Sequence, residues 1–348
     1  MRSLPKLPLI IGVGLVLVLI IVGIVLITGG GRPVYAEVTP EDASNVGRVE
    51  ILEGHTAGVN AVVWSFDGTL LASAGDDRLI DMWEYASVGA EPRQWPAHSM
   101  PITSLAMSPD GTLLASGSRD NEVIIWDPAT GEELRRFSHA DQVLALAFSP
   151  DGSLLASTGR DMTVILSDPA TLEPAQTLEG FSDRVNDVAF SPDSETLATA
   201  GNDNLVQVWD VADGSMLLEM ADHAVGATAV AFSSDGTMLA TGAGDARVRL
   251  WDAGSGELLR ICSGLIGRVN DVAFSPNGAT LASVSDDKAL ALWNPETCER
   301  IGPGDTPTDQ ISTGHGREVI ALSWRPDGTV IATASYDQRV LLWAVTQE

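Results

Sequence analysis

A Ser or Thr followed four residues later by Asp, and six residues beyond that by Trp or a substitute, recurs seven times along this chain. The pairs are Ser73/Asp77, Ser116/Asp120, Ser157/Asp161, Thr199/Asp203, Thr241/Asp245, Ser283/Asp287 and Thr333/Asp337. The third positions are Trp83, Trp126, Ser167, Trp209, Trp251, Trp293 and Trp343, so only the third repeat lacks the indole. A self-similar period near 42 residues constrains the architecture more than any local propensity. Each copy is one supersecondary unit that can bury its apolar face only against its neighbours.

Eighteen residues before each Ser/Thr stand His55, His98, His139, Phe181, His223, Leu265 and His315, so the span from this position to the Trp position is 28 residues in every repeat. From each Trp position to the next His position the gap is 15, 13, 14, 14, 14 and 22 residues. Length change is confined to one connection per repeat, as expected of a packed unit joined by surface loops. Within each unit, β-branched half-alternating runs such as Val59-Asn-Ala-Val-Val-Trp64 and Val185-Asn-Asp-Val-Ala-Phe190 predict short strands. Tight-turn tetrapeptides follow, among them Ser108-Pro-Asp-Gly111 and Arg325-Pro-Asp-Gly328, in which Pro presets φ and Gly supplies φ above zero. A Leu-Leu-Ala-Ser strand and an apolar strand ending at Trp complete three strands. The variable connection holds a fourth.

These residues resemble those of the WD-repeat (Trp-Asp repeat) β-propeller family, over roughly residues 47 to 348. The dipeptide itself appears as Trp126-Asp127, Trp209-Asp210 and Trp251-Asp252, with Trp293-Asn294 and Trp83-Glu84 as near variants. The resemblance implies an all-β, seven-bladed propeller of four-stranded antiparallel blades. It also implies that His, Ser/Thr, Asp and Trp of one blade form a hydrogen-bonded structural tetrad. Such tetrads are expected at His55/Ser73/Asp77/Trp83, His98/Ser116/Asp120/Trp126, His223/Thr241/Asp245/Trp251 and His315/Thr333/Asp337/Trp343. Ser167, Phe181 and Leu265 depart from the pattern in repeats 3, 4 and 6. The chain ends five residues after Trp343, and Arg48-Val-Glu-Ile-Leu52 has the apolar pattern of a missing outer strand, so strand 48 to 52 is expected to close the ring.

Residues 7 to 28 carry no charge. As a helix rising 1.5 Å per residue they would span roughly 33 Å, against a hydrocarbon core of about 30 Å. A single N-terminal transmembrane helix within residues 1 to 28 is expected. A cleaved signal peptide is the competing reading, with Arg2 and Lys6 as its n-region and Val34-Tyr-Ala36 as a small-residue cleavage site. The apolar run is longer than a typical h-region, which favours the anchor. Arg2 and Lys6 precede the run, whereas Glu37, Glu41 and Asp42 follow it. The expected topology is therefore a cytoplasmic N-terminus at the cell membrane with the propeller extracytoplasmic. Residues 29 to 46, with Gly29-Gly-Gly31, Pro33 and Pro40, read as a flexible linker. Gly302-Pro-Gly-Asp-Thr-Pro-Thr308 reads as a surface insertion.

The net charge is −27, from 47 acids and 20 bases, but 17 of the acids occupy repeat positions. The remaining surplus still argues against nucleic acid, whose phosphates require Lys and Arg, and against an anionic membrane surface as ligand. Cys262 and Cys298 both fall after a Trp position, in the outer-strand region. Outer strands diverge with radius, so no disulfide is expected between them. All five histidines sit at the tetrad position, which leaves none for a metal or a catalytic base, and no metal or cofactor is expected. The Ser, His and Asp of a tetrad superficially match a hydrolytic triad, but their repetition at fixed spacing marks them as structural.

The expected class is thus a non-enzymatic interaction module, a monomeric propeller presenting loops to a protein or peptide partner. The alternatives are a glycan or small-ligand binder, or an enzyme built on channel carboxylates. In the resemblance, the loop before each tetrad Asp and the loop after each His position share the top face. Arg119 and Arg160 precede their tetrad Asp, and Arg184 lies three after Phe181. These three guanidinia would form one sector over blades 2 to 4, an anchor for a carboxylate-bearing partner.

Overall fold

Seven antiparallel sheets follow one another along the chain in the computed structural model, which describes residues 33–87, 89–301, 311–312 and 314–345. Blade 1 is built in chain order from Val59–Trp64, Leu70–Gly75, Leu79–Glu84 and Arg93–Pro96. The same order repeats through blade 6. Blade 7 has Val319–Trp324, Val330–Ser335 and Arg339–Val345, and its fourth strand is Val46–Glu53 from the other end of the chain. The register runs from Val46 opposite Val345 to Glu53 opposite Arg339. The closing strand is therefore longer at both ends than the apolar pattern 48 to 52.

Burial explains why these segments pair as they do. The second and third strands of each blade are sandwiched between neighbouring blades and are nearly all buried, as in Leu114–Ser118 and Ala289–Trp293. Outer strands such as Glu133–Ser138 face solvent and are polar. Small residues on the second strand let the next blade approach: a Cβ on Gly117 would come within 2.6 Å of Val143 of blade 3. Each inner strand carries a register shift beside its first residue, for example between Val59 and Ala61 and between Val185 and Asp187. A bulge of this kind leaves one residue outside the ladder and re-aims its side chain.

Two expectations are corrected. The described part of the segment read as a flexible linker is docked rather than free. Val38 and Ala43 are fully buried in a cluster with Trp324, Ile331 and Trp343, Val38 N donates to Gly328 O at 3.0 Å, and Ala43–Asn45 form a 3-10 turn. Two apolar residues without periodic spacing fill gaps against blade 7, which a period search does not register. The second correction is the disulfide joining Cys262 and Cys298, with Cα atoms 5.0 Å apart. Cys262 ends the outer strand Leu258–Cys262 of blade 5. Cys298, however, lies in the turn that precedes the outer strand of blade 6, at φ 59°. That turn folds over the preceding blade's outer strand in other repeats too: a Cβ on Gly131 would meet Trp95 at 3.0 Å, and one on Gly256 would meet Met220 at 3.4 Å. The divergence of outer strands therefore does not separate the two sulfurs.

The outer strand of blade 6 is split into Arg300–Ile301 and Ile311–Ser312, both paired with Ala289–Trp293. The insertion read at 302 to 308 lies outside the described residues, as does the transmembrane helix expected within residues 1 to 28. Among the described residues no helix is long and apolar enough to cross a membrane.

Candidate functional site: the tetrads and the channel mouth

Four blades bring a His, a hydroxyl and an Asp together. In blade 1, His55 Nδ1 lies 2.9 Å from Asp77 Oδ2 and Nε2 lies 2.9 Å from Ser73 Oγ, while Trp83 Nε1 donates to the same Oγ at 3.1 Å. The His98/Ser116/Asp120/Trp126 and His315/Thr333/Asp337/Trp343 sets have the same connections. Blade 3 keeps His139, Ser157 and Asp161, and Ser167 in place of Trp donates to Leu155 O at 3.3 Å. Ser73, Ser116 and Ser157 are fully buried. A nucleophile must reach its substrate, and these hydroxyls are enclosed by their own partners, so the arrangement is structural.

The Asp of each set ties two loops together. Asp120 also accepts from Ser99 N at 2.8 Å, and Asp337 from Gly316 N at 2.7 Å. Burial opposes ionisation of Asp77, Asp120, Asp161 and Asp337, yet hydrogen bonds from backbone N–H groups and the His partners outweigh it and hold each carboxyl below the ordinary range. In blade 4, Phe181 packs on Trp209 with ring centroids 5.2 Å apart. There, among the described residues, Asp203 accepts only from Ser182 and Leu205. In blade 6 the Trp293–Ser283 bond remains at 2.8 Å without a His.

Blade 5 departs from the expected tetrad. His223 Nε2 meets Thr241 Oγ1 at 2.8 Å and Trp251 Nε1 donates to that oxygen at 2.8 Å. But His223 Nδ1 accepts from Arg249 Nη1 at 2.8 Å, whereas in the other sets Nδ1 faces the Asp carboxylate. Arg249 Nη2 in turn stands 2.8 Å from Asp245 Oδ2. Those Asp245 oxygens make no well-directed hydrogen bond, so this is a charge contact above all. Burial, then the adjacent guanidinium, pushes His223 down to about 4. The corresponding positions of the other repeats are Asp81, Ile124, Ile165, Gln207, Ala291 and Leu341. A column-by-column alignment of the repeats would have exposed both Arg249 and Asp81. Asp81 is buried beneath His55, and burial raises its carboxyl.

Above the tetrads, one backbone hydrogen bond joins the two top loops of every blade. The N–H of Asp76, Arg119, Arg160, Asn202, Gly244, Asp286 and Tyr336 donates to the carbonyl of Gly58, Pro101, Gln142, Arg184, Gly226, Arg268 and Glu318 respectively, at 2.8 to 3.2 Å. Seven such pairs encircle the mouth of a central channel of about 730 Å³, and Arg119, Arg160, Arg184 and Arg268 all line it. Arg184 is steadied by Asn186 and Asn202 at 3.0 and 3.2 Å. Its guanidinium is lowered first by burial and then by repulsion from Arg160 and Arg268, so these charges feel one another across the opening. Arg119, Arg160 and Arg184 therefore share one rim. Arg268 of blade 6 joins it.

Below the rim the channel carries Asp187 and Asp271. Each carboxylate accepts two backbone N–H bonds, one from the adjacent residue and one from a neighbouring blade: Val188 and Val230 for Asp187, Val272 and Leu322 for Asp271. Accessibility leaves both only partly buried because the channel reaches them, but protein surrounds them on every other side. Burial raises Asp187 to about 7, and burial plus the charge of Asp187 raises Asp271 to about 8. The bulge residues Asn60, Thr103, Asn186, Thr228 and Asn270 each donate to a carbonyl of the next blade at 2.5 to 2.8 Å. They lace the inner strands around the channel.

Antiparallel blades in a closed ring, with buried His–Ser/Thr–Asp–Trp sets at their tops, define a WD-repeat β-propeller. The chain belongs to the WD40 family: the domain described as WD domain, G-beta repeat matches residues 47–84, 89–127, 131–168, 172–210, 214–252, 256–294 and 308–344. Propellers of this family generally act as protein-interaction scaffolds. Comparison with individual curated proteins gave no significant match.

Proposed function

We propose that the protein is a membrane-anchored, extracytoplasmic interaction module that docks a protein or peptide partner on the top face of its propeller. The observation that carries this reading is the rim of Arg119, Arg160 and Arg184, contributed by three successive blades at the channel mouth. Among the described residues none of the three is engaged in an ion pair, although the chain holds 47 acids and 20 bases. In so acidic a protein, uncommitted guanidinia on one rim suit a carboxylate-bearing partner, because Arg presents a planar fork to such groups. The uncharged run at residues 7 to 28 supports the anchor. The Cys262–Cys298 bridge supports an oxidising compartment. A small-ligand reading is favoured by one feature only, the size of the channel.

Crosslinking intact cells with a membrane-impermeant reagent, followed by pull-down, tests partner and compartment together. A captured partner should lose about tenfold or more in affinity when Arg119, Arg160 and Arg184 are changed to Ala with the melt unchanged. Retained affinity would move the site elsewhere, and failure of the reagent to reach the propeller would reverse the topology.

A further inference from the structure

The seven loop pairs give the channel mouth a charge order that the three-arginine sector does not exhaust. Going round the ring, blades 2, 3 and 4 contribute Arg119, Arg160 and Arg184. Blade 5 contributes the uncharged pair Gly244 and Gly226, with the exposed Val225 beside them, and blade 6 contributes Arg268. Three nearby acids hold amides rather than guanidinia, although Asp183 also feels the charges of Arg184 and Arg160. Asp286 accepts from the Asn270 amide at 2.8 Å, Asp76 from the Asn60 amide at 2.9 Å, and Asp183 from the Asn202 amide at 2.6 Å. None of the four arginines is in an ion pair among the described residues, and Arg184 senses both Arg160 and Arg268.

This inference rests on the reading that the mouth is the binding face. We infer that the four arginines form one site for a doubly charged oxyanion of the phosphate class, carried on a larger body seated over the channel. A carboxylate brings one charge and two oxygens, enough for one bidentate guanidinium. Four arginines lining one opening, from blades 2, 3, 4 and 6, call for more charge and more acceptor directions. A phosphate monoester carries about −1.5 to −2 with three terminal oxygens. Depth is set by the channel lining below the rim, where Asp187 and Asp271 are engaged with backbone N–H groups and offer an anion no cation. The anion is held at the rim, and the uncharged blade 5 segment, with Gly226, Gly244 and the exposed Val225, faces the rest of the ligand.

The test is titration calorimetry on the full chain in detergent with inorganic phosphate, pyrophosphate, and a phosphoserine peptide paired with its glutamate counterpart. The wild type should bind pyrophosphate or the phosphopeptide. Arg160→Ala and Arg268→Ala should each weaken that binding about tenfold with melts unchanged, and Arg268→Lys, which keeps the charge and loses the fork, should recover part of it. Preference for the phosphopeptide assigns the phosphoryl group to a partner's side chain; preference for pyrophosphate assigns it to a free ligand. No binding of any phosphate probe by about 10 mM overturns the inference, as does equal affinity for the glutamate peptide. The latter result would leave the acidic-partner reading standing. Loss on changing Arg119, Arg160 and Arg184 with no effect of Arg268→Ala would also overturn the four-arginine site while keeping the three-arginine sector.

Discussion

Replacing Asp120 by Ala removes the acceptor of four hydrogen bonds whose donors differ sharply in exposure. His98 Nδ1, at 3.1 Å, belongs to a side chain with no accessible surface. Ser99 N at 2.8 Å, Ser99 Oγ at 3.1 Å and Glu122 N at 3.2 Å lie at the surface or close to it. Surface donors bind water once released, but the imidazole N–H has no substitute, and a buried unsatisfied donor costs about 1–3 kcal/mol. Asp203 is the internal control, because Phe181 stands where His98 would be. It accepts only from Ser182 and Leu205, so Asp203→Ala should cost below about 1 kcal/mol. Asp161 does not serve as a weak control despite the missing indole, since it keeps His139 at 2.8 Å. At roughly 2–4 °C per kcal/mol, Asp120→Ala should lower the melting temperature by roughly 2–12 °C, measured by thermal denaturation of the purified protein. The pH profile sharpens the comparison. The folded Asp120 carboxyl titrates below its unfolded value of about 3.9, so its stabilisation is present above that pH and is lost as pH falls through the folded pKa. His98 is lowered, chiefly by burial. Its contribution is present above about 6.5 and is lost as pH falls through its folded pKa. Without the Asp120 charge, which raises His98, that loss is steeper. The gap between wild type and Asp120→Ala should therefore widen modestly from about pH 6.5 to 5 and narrow as pH falls below about 3.9. Equal losses for Asp120→Ala and Asp203→Ala would refute the assignment of the cost to the buried histidine.

Deleting residues 46 to 53 strips the partner from the edge of Arg339–Val345 and should lower the melt markedly and promote association through the bare edge; an unchanged melt would contradict closure. Changing Cys262 and Cys298 together to Ser should cost about 2–4 kcal/mol in urea unfolding, and reducing agent should destabilise the wild type while leaving the double variant untouched.

The repeat spacing made the blades legible because tetrad and turn residues recur at fixed separations, and the indole-to-hydroxyl bonds at 2.8 to 3.3 Å follow from that spacing. What escaped were interactions between repeats, which have no fixed offset along the chain. Cys298 reaches back to the preceding blade from a turn, Val38 and Ala43 fill sites on blade 7 from far upstream, and Asp187 finds its partner Val230 one blade away. Arg249 was hidden for the opposite reason. It occupies a position that is apolar in most repeats, and comparing motifs rather than columns passes over such an exception. Arg119, Arg160 and Arg184 can be placed near one another from sequence because their offsets from the tetrad are short and local, and all three line the channel. Arg268 needed the ring itself.

Docking of the N-terminal segment bears on how the ring withstands mechanical force. Its seam is the pairing of Val46–Glu53 with Arg339–Val345, and a pull from the N-terminal side enters the propeller next to it. Tension must first draw Val38 and Ala43 out of fully enclosed apolar sites, a valine alone resisting by about 1.5–3 kcal/mol, and break the Val38–Gly328 bond. Only then does it reach Val46. Under such a pull the segment would act as strain relief, taking the load before the seam begins to peel.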